Sequence, residues 1–209
     1  MLILEACVSL NALVSSNLKR KFEDAVTKVV KPLAQAGLNP NYVTLLGFIT
    51  ASFSALCYYF WQFNPFLLTI GGILILVSGL LDAIDGVIAR ISGKTTVLGG
   101  FLDSVADRYS DSIVLSGIIL GGLCDLLIGI GALVGSLMVS YVRSRSEASN
   151  IGMAGIGIAE RAERMILLSV FTFFTLYRIE ALNYGVLILA ILSNLTVLQR
   201  ILYFKKKSS

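Results

Sequence analysis

The chain has 209 residues, of which 56% are hydrophobic and only 14% are charged, and its formal net charge is +4. Soluble domains average about 25% charged residues. This composition, with a mean hydropathy of +0.83, therefore predicts an integral membrane protein whose partners include membrane lipids and no nucleic acid. The lack of histidine excludes Ser-His-Asp triads and His-ligated zinc, and the three cysteines are too scattered for a metal site or a disulfide framework.

An amphipathic segment precedes the first long apolar run. Its apolar residues recur at helical spacing with lysines between them: Leu18, Phe22, Val26, Val29, Val30 and Leu33. This pattern predicts an interfacial helix over residues 16–36 whose lysines meet anionic headgroups. The alternative is a positively charged anchor with no surface helix. Gly37–Thr44 is predicted to break the chain before the first span, with Asn or Pro starting that span.

Six transmembrane helices are predicted after this segment. A helix needs about 20 apolar residues to cross a bilayer. Four runs meet or nearly meet that length: Val43–Phe63, Phe66–Ala89, Leu126–Val142 and Tyr184–Phe204. Two further segments are half polar: Gly99–Leu123 and Ile158–Tyr177. The predicted fold is an all-α integral membrane protein, a single domain over residues 1–209 with a six-helix bundle over residues 40–204.

The charges of the loops predict the orientation of the spans. Trp61–Pro65 and Gly121–Asp125 carry no Lys or Arg and are predicted to face outward. Basic residues cluster in the intervening loops, in the amino-terminal segment and in the tail Lys205–Lys207. The positive-inside rule then places both termini in the cytoplasm, with Arg178 as an exception on an outward loop. We expect a multi-pass protein of the cell membrane whose polar groups converge at the cytoplasmic end of the bundle.

Four aspartates stand in the second and third predicted spans: Asp82, Asp85, Asp103 and Asp107. Ionised groups at membrane depth are costly and are generally functional. Asp82 and Asp85 are three residues apart and Asp103 and Asp107 four apart, so each pair shares one helical face. Hard divalent cations require oxygen ligands of this kind. The pattern predicts a site for Mg²⁺ or Mn²⁺, with two ions clamping a diphosphate.

Two arginines accompany the aspartates. One alternative is that the aspartates form buried ion pairs with Arg90 and Arg108, but four carboxylates outnumber two arginines. Gly86 leaves room for a ligand against the helix backbone, and Arg90, one turn later, is predicted to reach a phosphate there. Asp111, one turn beyond Asp107, is expected to pair with Arg108, the alternative being a supporting role behind the metal ligands.

One continuous motif joins these residues: Asp82-x₂-Asp85-Gly86-x₂-Ala89-Arg90-x₈-Gly99-x₃-Asp103-x₃-Asp107. In every fixed position and spacing it resembles the signature of the CDP-alcohol phosphotransferases. The resemblance implies a membrane enzyme, usually dimeric, that moves a phosphatidyl-type group from a CDP-lipid to an alcohol and releases CMP. The expected partners are thus a CDP-lipid donor, an alcohol acceptor and a second copy of the chain in a homodimer.

The resemblance also assigns roles to individual residues. Three aspartates are implied to hold divalent metal: Asp82, Asp85 and Asp103. Asp107 is implied to be a further metal ligand and the catalytic base. Four residues are implied to contact the CDP moiety: Gly86, Arg90, Asn41 and Thr44.

Several arginines follow in the second half of the chain. Tyr141–Glu147 and Gly157–Arg164 resemble the corresponding part of phosphatidylinositol-phosphate synthases and their archaetidyl counterparts, whose acceptor is inositol 1-phosphate. Guanidinium groups bind phosphate bidentately. Five arginines are predicted to bind the acceptor phosphate: Arg143, Arg145, Arg161, Arg164 and Arg200. The alternative is that these arginines are topological anchors or partners of nearby glutamates: Glu147, Glu160 and Glu163.

Other functions are compatible with parts of the sequence. Within the same chemistry, glycerol 3-phosphate or serine is the alternative acceptor. Membrane aromatic prenyltransferases also hold Mg²⁺ with paired aspartates, but they are normally longer and lack the interposed Gly-x-x-Ala-Arg. A small cation transporter would use the aspartates as a transport site. Such folds often contain inverted repeats, and the two halves of this sequence show no convincing repeat.

Overall fold

The computed structural model describes residues 26–28, 30–32, 34 and 36–208. Six long α-helices run through this part of the chain: α1 (Pro40–Tyr59), α2 (Phe66–Ser92), α3 (Val97–Leu120), α4 (Leu126–Glu147), α5 (Arg161–Phe174) and α6 (Ala181–Ser208). A short 3₁₀ turn, Trp61–Phe63, lies between α1 and α2, and the described residues include no strand. The all-α prediction is therefore confirmed for the described residues.

Each of the six helices overlaps one of the six predicted spans. The largest difference from the predicted bounds lies at the end of α4, before its connection to α5. α4 continues to Glu147, beyond its predicted end, and α5 begins only at Arg161. Between them, Asn150, Gly155 and Gly157 have positive φ angles of 61°, 72° and 123°. Neither helix can continue through such a backbone, so the connection is irregular.

Four of the helices are long and apolar enough to cross a membrane: α1, α2, α4 and α6. Only 28% to 33% of the apolar stretch of each is buried, so apolar side chains dominate its outward surface, as lipid requires. α3 has 24 residues but carries four charges, and α5 has only 14 residues. The described helices support a multi-pass membrane protein, while six spans and their orientation stay predictions.

The chain forms two compact units, whose boundary falls within α1, α2 and α3. The first unit contains the chain up to Thr50 together with Val77–Tyr109. Its apolar core comes from the amino-terminal segment, α1 and α2: Val26, Val30, Ala34, Val43, Val87 and Ile88. Within this unit the carbonyl of Gly47 on α1 accepts a 2.9 Å hydrogen bond from the Ser78 hydroxyl on α2. This bond and the apolar core fix the position of the carboxyl-terminal half of α2, which carries the aspartates.

The carboxyl end of the predicted interfacial helix belongs to the first unit. The residues described between 26 and 34 are helical. Val26, Val30 and Ala34 are buried on one face, whereas Lys28 and Lys31 are exposed. This alternation is the amphipathic pattern that the sequence predicts. Residues 16–25 of that prediction lie outside the described residues, so the complete interfacial helix stays a prediction.

The second unit contains Ala51–Leu76 and the chain from Ser110 onward. Its core is apolar and includes large buried side chains from five helices: Tyr58, Ile75, Leu115, Ile118, Leu168 and Leu189. The hydroxyl of Tyr58 lies 2.7 Å from that of Thr172, so these buried polar groups are paired, as an apolar environment demands. α6 packs along both α4 and α5. This packing positions the arginines near the connection between α4 and α5.

Candidate metal centre and arginine cluster

Three aspartates from two helices converge in the first unit. Asp82 and Asp85 share one face of α2, and Asp103 comes from α3. One carboxylate oxygen from each lies within 4.8 Å of the other two. Asp85 is buried, with 4% of its surface exposed, and the other two are half-buried. Carboxylates held this close repel one another unless positive charge compensates, so this donor set fits a hard divalent cation.

Thr44 on α1 contacts one of these carboxylates. Its hydroxyl donates a hydrogen bond of 2.6 Å to Oδ2 of Asp85 and lies 3.3 Å from the carbonyl oxygen of Pro40. A hydroxyl has one hydrogen to donate, which favours the shorter, charge-assisted bond. Thr44 was expected to contact the CDP moiety, and the structure places it against Asp85. Its bond restricts the orientation of that carboxylate, as hydrogen bonds behind metal ligands commonly do.

The other residues expected to contact the CDP moiety also belong to the first unit. Asn41 is exposed in the first turn of α1, and its Oδ1 would lie 3.3 Å from a Cβ built on Gly99 at the start of α3. A Cβ built on Gly86 would meet only Nη1 of Arg90, at 3.6 Å, among the described residues. The surface of α2 at Gly86 is therefore open beside an exposed guanidinium, which leaves room for an anionic ligand.

Asp107 lies one turn beyond Asp103 on α3 and is not one of the three converging aspartates. Its side chain is 22% exposed, and Oδ2 lies 3.9 Å from Nη1 of Arg108. That same nitrogen donates a bond of 2.6 Å to the carbonyl of Ser104. The Asp107–Arg108 contact is thus long and partly solvated, a geometry in which an ion pair contributes little. Of the four predicted metal ligands, the structure brings three together.

In the second unit, Asp111 on α3 lies between two arginines of α5. Oδ2 of Asp111 accepts a bond of 2.6 Å from Nη2 of Arg164, and Oδ1 accepts one of 3.3 Å from Nε of Arg161. Arg164 also donates from Nη1 to the carbonyl of Ala159 at 3.2 Å. Asp111 was expected to pair with Arg108. The sequence could not reveal these partners, because they lie 50 or more positions away.

Arg200 on α6 is almost completely buried, with 2% of its surface exposed. Its Nε donates to the carbonyl of Ile156 at 2.8 Å, and its Nη1 donates to the carbonyl of Val139 at 2.5 Å. One turn earlier, Thr196 Oγ1 accepts bonds of 3.3 Å and 3.1 Å from the backbone N–H groups of residues 158 and 159. α6 therefore holds the segment that leads into α5 and so sets where Arg161 begins that helix.

The two remaining predicted arginines are more accessible. Arg143 donates from Nε to Oε1 of Glu147 at 2.9 Å, one turn along α4, and both side chains are about two-fifths exposed at 43% and 45%. Arg145 is exposed near the end of the same helix. The Arg143–Glu147 pair agrees with the alternative that some arginines have glutamate partners. Five arginines of the second unit thus range from buried and hydrogen-bonded to exposed.

Curated relatives cover nearly all of this chain. The archaetidylinositol phosphate synthase of Pyrococcus horikoshii is 40% identical over 192 residues, which cover 92% of this chain and 97% of the relative. The enzyme of the same name from Methanothermobacter thermautotrophicus is 37% identical and covers 91% and 95%. The phosphatidylinositol phosphate synthase of Streptomyces avermitilis is 31% identical and covers 88% and 80%.

Solved structures and a family model lead to the same group. The Mycobacterium tuberculosis phosphatidylinositol phosphate synthase PgsA1, in complex with manganese and citrate, matches with a TM-score of 0.72 and 29% identity over 86% of this chain and 88% of that one. The same enzyme with CDP-DAG bound matches with a TM-score of 0.69 and 29% identity over 86% and 92%. The model of the CDP-alcohol phosphatidyltransferases matches residues 38–198. The chain therefore belongs to the CDP-alcohol phosphatidyltransferase family.

Proposed function

We propose that this protein transfers a phosphatidyl- or archaetidyl-type group from a CDP-linked lipid to inositol 1-phosphate and releases CMP. The observation that carries this proposal is the group of three aspartate oxygens within 4.8 Å of one another, at the motif that characterises the family. The names of the relatives support the acceptor, because they describe synthases of inositol phosphate lipids. The donor is proposed to carry either an archaetidyl or a phosphatidyl group, because synthases of both names are similar to this chain.

The first unit is proposed to bind the CDP-lipid. Gly86 gives access to the backbone of α2, and Arg90 supplies a cation beside it. Asn41 in the first turn of α1 is proposed to contact the nucleotide, with Thr44 acting on the same ligand through Asp85. CDP-DAG bound to PgsA1 supports a CDP-lipid ligand for this chain.

The aspartates of the first unit are proposed to carry the metal-dependent part of the reaction. The donor set and the manganese in the PgsA1 structure support Mg²⁺ or Mn²⁺, and by family resemblance two ions. Divalent cations held by Asp82, Asp85 and Asp103, with Asp107 as a further ligand, would neutralise charge on the diphosphate and on the departing CMP.

Asp107 is proposed to be the catalytic base. It shares a helical face with Asp103, one turn further along α3, and its side chain is 22% exposed, so it is accessible to a substrate hydroxyl. Asp107 takes the proton of the inositol hydroxyl, whose oxygen forms a bond to the lipid-side phosphorus. The bond from that phosphorus to the bridging oxygen breaks, and CMP leaves with that oxygen. General-base assistance of this kind contributes about 100-fold or more.

Arginines of the second unit are proposed to bind the phosphate of the acceptor: Arg143, Arg145, Arg161, Arg164 and Arg200. Guanidinium forks match phosphate oxygens, and their charge favours inositol 1-phosphate over free inositol. The accessible members are proposed to contact the phosphate directly. Arg200 contributes positive charge while its Nε and Nη1 hold backbone carbonyls.

The family resemblance and the loop charges complete the proposal. We expect a homodimer in the cell membrane, with both termini and the active site on the cytoplasmic side. Light scattering of the purified protein in detergent tests the dimer, with twice the protomer mass expected. Labelling of single engineered cysteines at Ser208 and Asn64 in intact cells tests the orientation. Accessibility of Ser208 from outside would contradict the proposed topology.

The activity is tested by CMP release from purified protein in detergent with Mg²⁺, a CDP-lipid and one acceptor at a time. Inositol 1-phosphate is compared with free inositol, glycerol 3-phosphate and serine, and the dialkyl donor is compared with the diacyl donor. Release only with inositol 1-phosphate is expected. Release with another acceptor would retain the transfer chemistry and reject the proposed acceptor. No release with any acceptor, together with metal flux into liposomes lacking CDP-lipid, would favour a transporter.

A further inference from the structure

The two arginines of the first turn of α5 have an unusual electrostatic setting. Arg161 is the first residue of the helix and Arg164 follows three residues later. The amino terminus of a helix carries partial positive charge, so cations there are disfavoured. Glu163 is also in the first turn but is exposed. A buried arginine at this position, with 5% of its surface exposed, therefore needs a negative partner from another element.

Asp111 supplies that negative partner from α3. Its two carboxylate oxygens are divided between the two arginines, with Oδ2 on Arg164 at 2.6 Å and Oδ1 on Arg161 at 3.3 Å. Its side chain is 14% exposed, so solvent screens the interaction only slightly. One carboxylate with two guanidinium groups leaves a net charge of +1. The cluster can therefore be held together internally and still attract an anion.

The accessibilities of the two arginines differ. Arg164 is 5% exposed, and it donates hydrogen bonds from Nη2 to Asp111 and from Nη1 to the carbonyl of Ala159. Arg161 is 17% exposed and meets Asp111 through Nε, the donor closest to the aliphatic chain. A contact at Nε restricts the plane of the guanidinium. Arg161 is thus the more accessible of the two arginines, and Arg164 is the more deeply buried one.

We propose that Asp111 is a positioning residue that orients Arg161 and Arg164 for the phosphate of the acceptor. The inference rests on the proposed function, because it assigns to Asp111 the affinity for inositol 1-phosphate. An arginine side chain has several rotatable bonds, and free motion lowers its affinity for a ligand that must be met in one orientation. Asp111 removes that freedom before the acceptor arrives. This role requires no contact of Asp111 with the CDP-lipid or with the reacting atoms.

The first test replaces Asp111 by asparagine, which keeps the shape and removes the charge. The KM for inositol 1-phosphate is expected to rise about tenfold, the effect of losing one charge-assisted hydrogen bond, while the KM for CDP-lipid stays within about twofold. Asp111→Glu is expected to recover part of the acceptor affinity. Asp125→Asn is the matched control, because Asp125 is an exposed carboxylate of the same unit, bonded to Asn183 at 3.0 Å. That control is expected to leave both KM values unchanged.

A double-mutant cycle separates positioning from general destabilisation. If Asp111 acts through the arginines, Asp111→Asn raises the acceptor KM by a smaller factor in an Arg161→Ala background than in the unmodified protein. A second double variant, Asp111→Asn with Arg164→Gln, removes both charges of the buried pair, so it keeps the experiment usable if Asp111→Asn alone unfolds. Equal increases in the KM values of acceptor and donor, or an unchanged acceptor KM in Asp111→Asn, would overturn the positioning role. Failure of the unmodified protein to use inositol 1-phosphate would instead overturn the proposed function.

Discussion

The two units of this protein differ in which charged side chains their helices bring together. In the first unit, carboxylates of α2 and α3 converge on one another, within 4.8 Å. In the second unit, a carboxylate of α3 converges with two guanidinium groups of α5, at 2.6 Å and 3.3 Å. Like charges at such distances favour an added cation, whereas opposite charges stabilise one another within the protein. On the proposed function, the converging carboxylates would bind a ligand directly, and the converging opposite charges would support the groups that bind one.

The largest effect is expected in the first unit, from Asp85→Asn. We expect CMP release to fall about 1,000-fold or more, because the change removes the most buried of the three converging carboxylates. Manganese binding, followed by electron paramagnetic resonance, should weaken in parallel. Thermal stability without metal should be unchanged or higher, since the change relieves repulsion between carboxylates. A variant with near-normal manganese affinity would contradict the assignment of Asp85 as a metal ligand.

Asp107→Asn should separate catalysis from binding. We expect turnover to fall about 100-fold or more, the usual contribution of a general base. The melting temperature and the KM for CDP-lipid should change little, because Asp107 is partly exposed and outside the three converging aspartates. Steady-state kinetics measures the turnover and the KM, and thermal unfolding in detergent measures the melting temperature. A near-normal rate would remove Asp107 from the mechanism and leave the metal site in place.

Arg161→Ala tests whether the arginines of the second unit bind the acceptor. The KM for inositol 1-phosphate is expected to rise tenfold or more, about the effect of one lost charge-assisted contact, before any change in the KM for CDP-lipid. Arg178→Ala is the control, because Arg178 is an exposed arginine of the same unit with no proposed role. A larger effect on the donor than on the acceptor would reject the assignment of the arginines to the acceptor.

Thr44→Val should weaken metal binding without abolishing it. The change removes the 2.6 Å bond to Asp85, and residues behind metal ligands typically contribute about 10-fold to 100-fold in metal affinity. We expect manganese to bind about tenfold more weakly. Thr50→Val is the matched control, since the Thr50 hydroxyl donates at 2.8 Å to the carbonyl of Gly47 on its own helix. Equal manganese affinities in the two variants would show that Thr44 does not orient Asp85.

The smallest effect is expected from Glu147→Gln on α4. Its ion pair with Arg143 is 2.9 Å long, but both partners are exposed at 43% and 45%. Exposed pairs one helical turn apart contribute about 0.3–0.5 kcal/mol, so the melting temperature should barely change. Asp111→Asn should lower the free energy of unfolding far more, because Asp111 belongs to a buried cluster. Similar losses of stability in Glu147→Gln and Asp111→Asn would erase the distinction between exposed and buried pairs.

The fold was predictable wherever one short-range pattern dominates. Apolar runs located four of the six helices and half-polar segments located the other two, because the pattern of apolar residues along a helix can be recognised without tertiary information. The break at Gly37, where φ is +84°, and the start of α1 at Pro40 follow from local backbone preferences. The connection between α4 and α5 was placed less well, since Arg200 and Thr196 hold it through bonds from α6.

The candidate site was also predictable where short-range spacing determines it, and not where contacts between distant helices do. Helical spacing put Asp82 and Asp85 on one face, and the carboxylate density pointed to metal. Spacing could not tell that Asp103 joins them while Asp107 lies outside the group. It also could not give Asp111 its two partners on α5. Its place one turn beyond Asp107 was the one signal available, because it continues the polar face of α3.

The most direct measurement of the central claim is the stoichiometry of the transfer. Purified protein is incubated with CDP-lipid, inositol 1-phosphate and Mg²⁺, and CMP and the lipid product are quantified by mass spectrometry. We predict one lipid carrying inositol phosphate for each CMP released, and neither product after chelation of the divalent cation. CMP released without a lipid-linked inositol phosphate, or transfer that persists after chelation, would contradict the account.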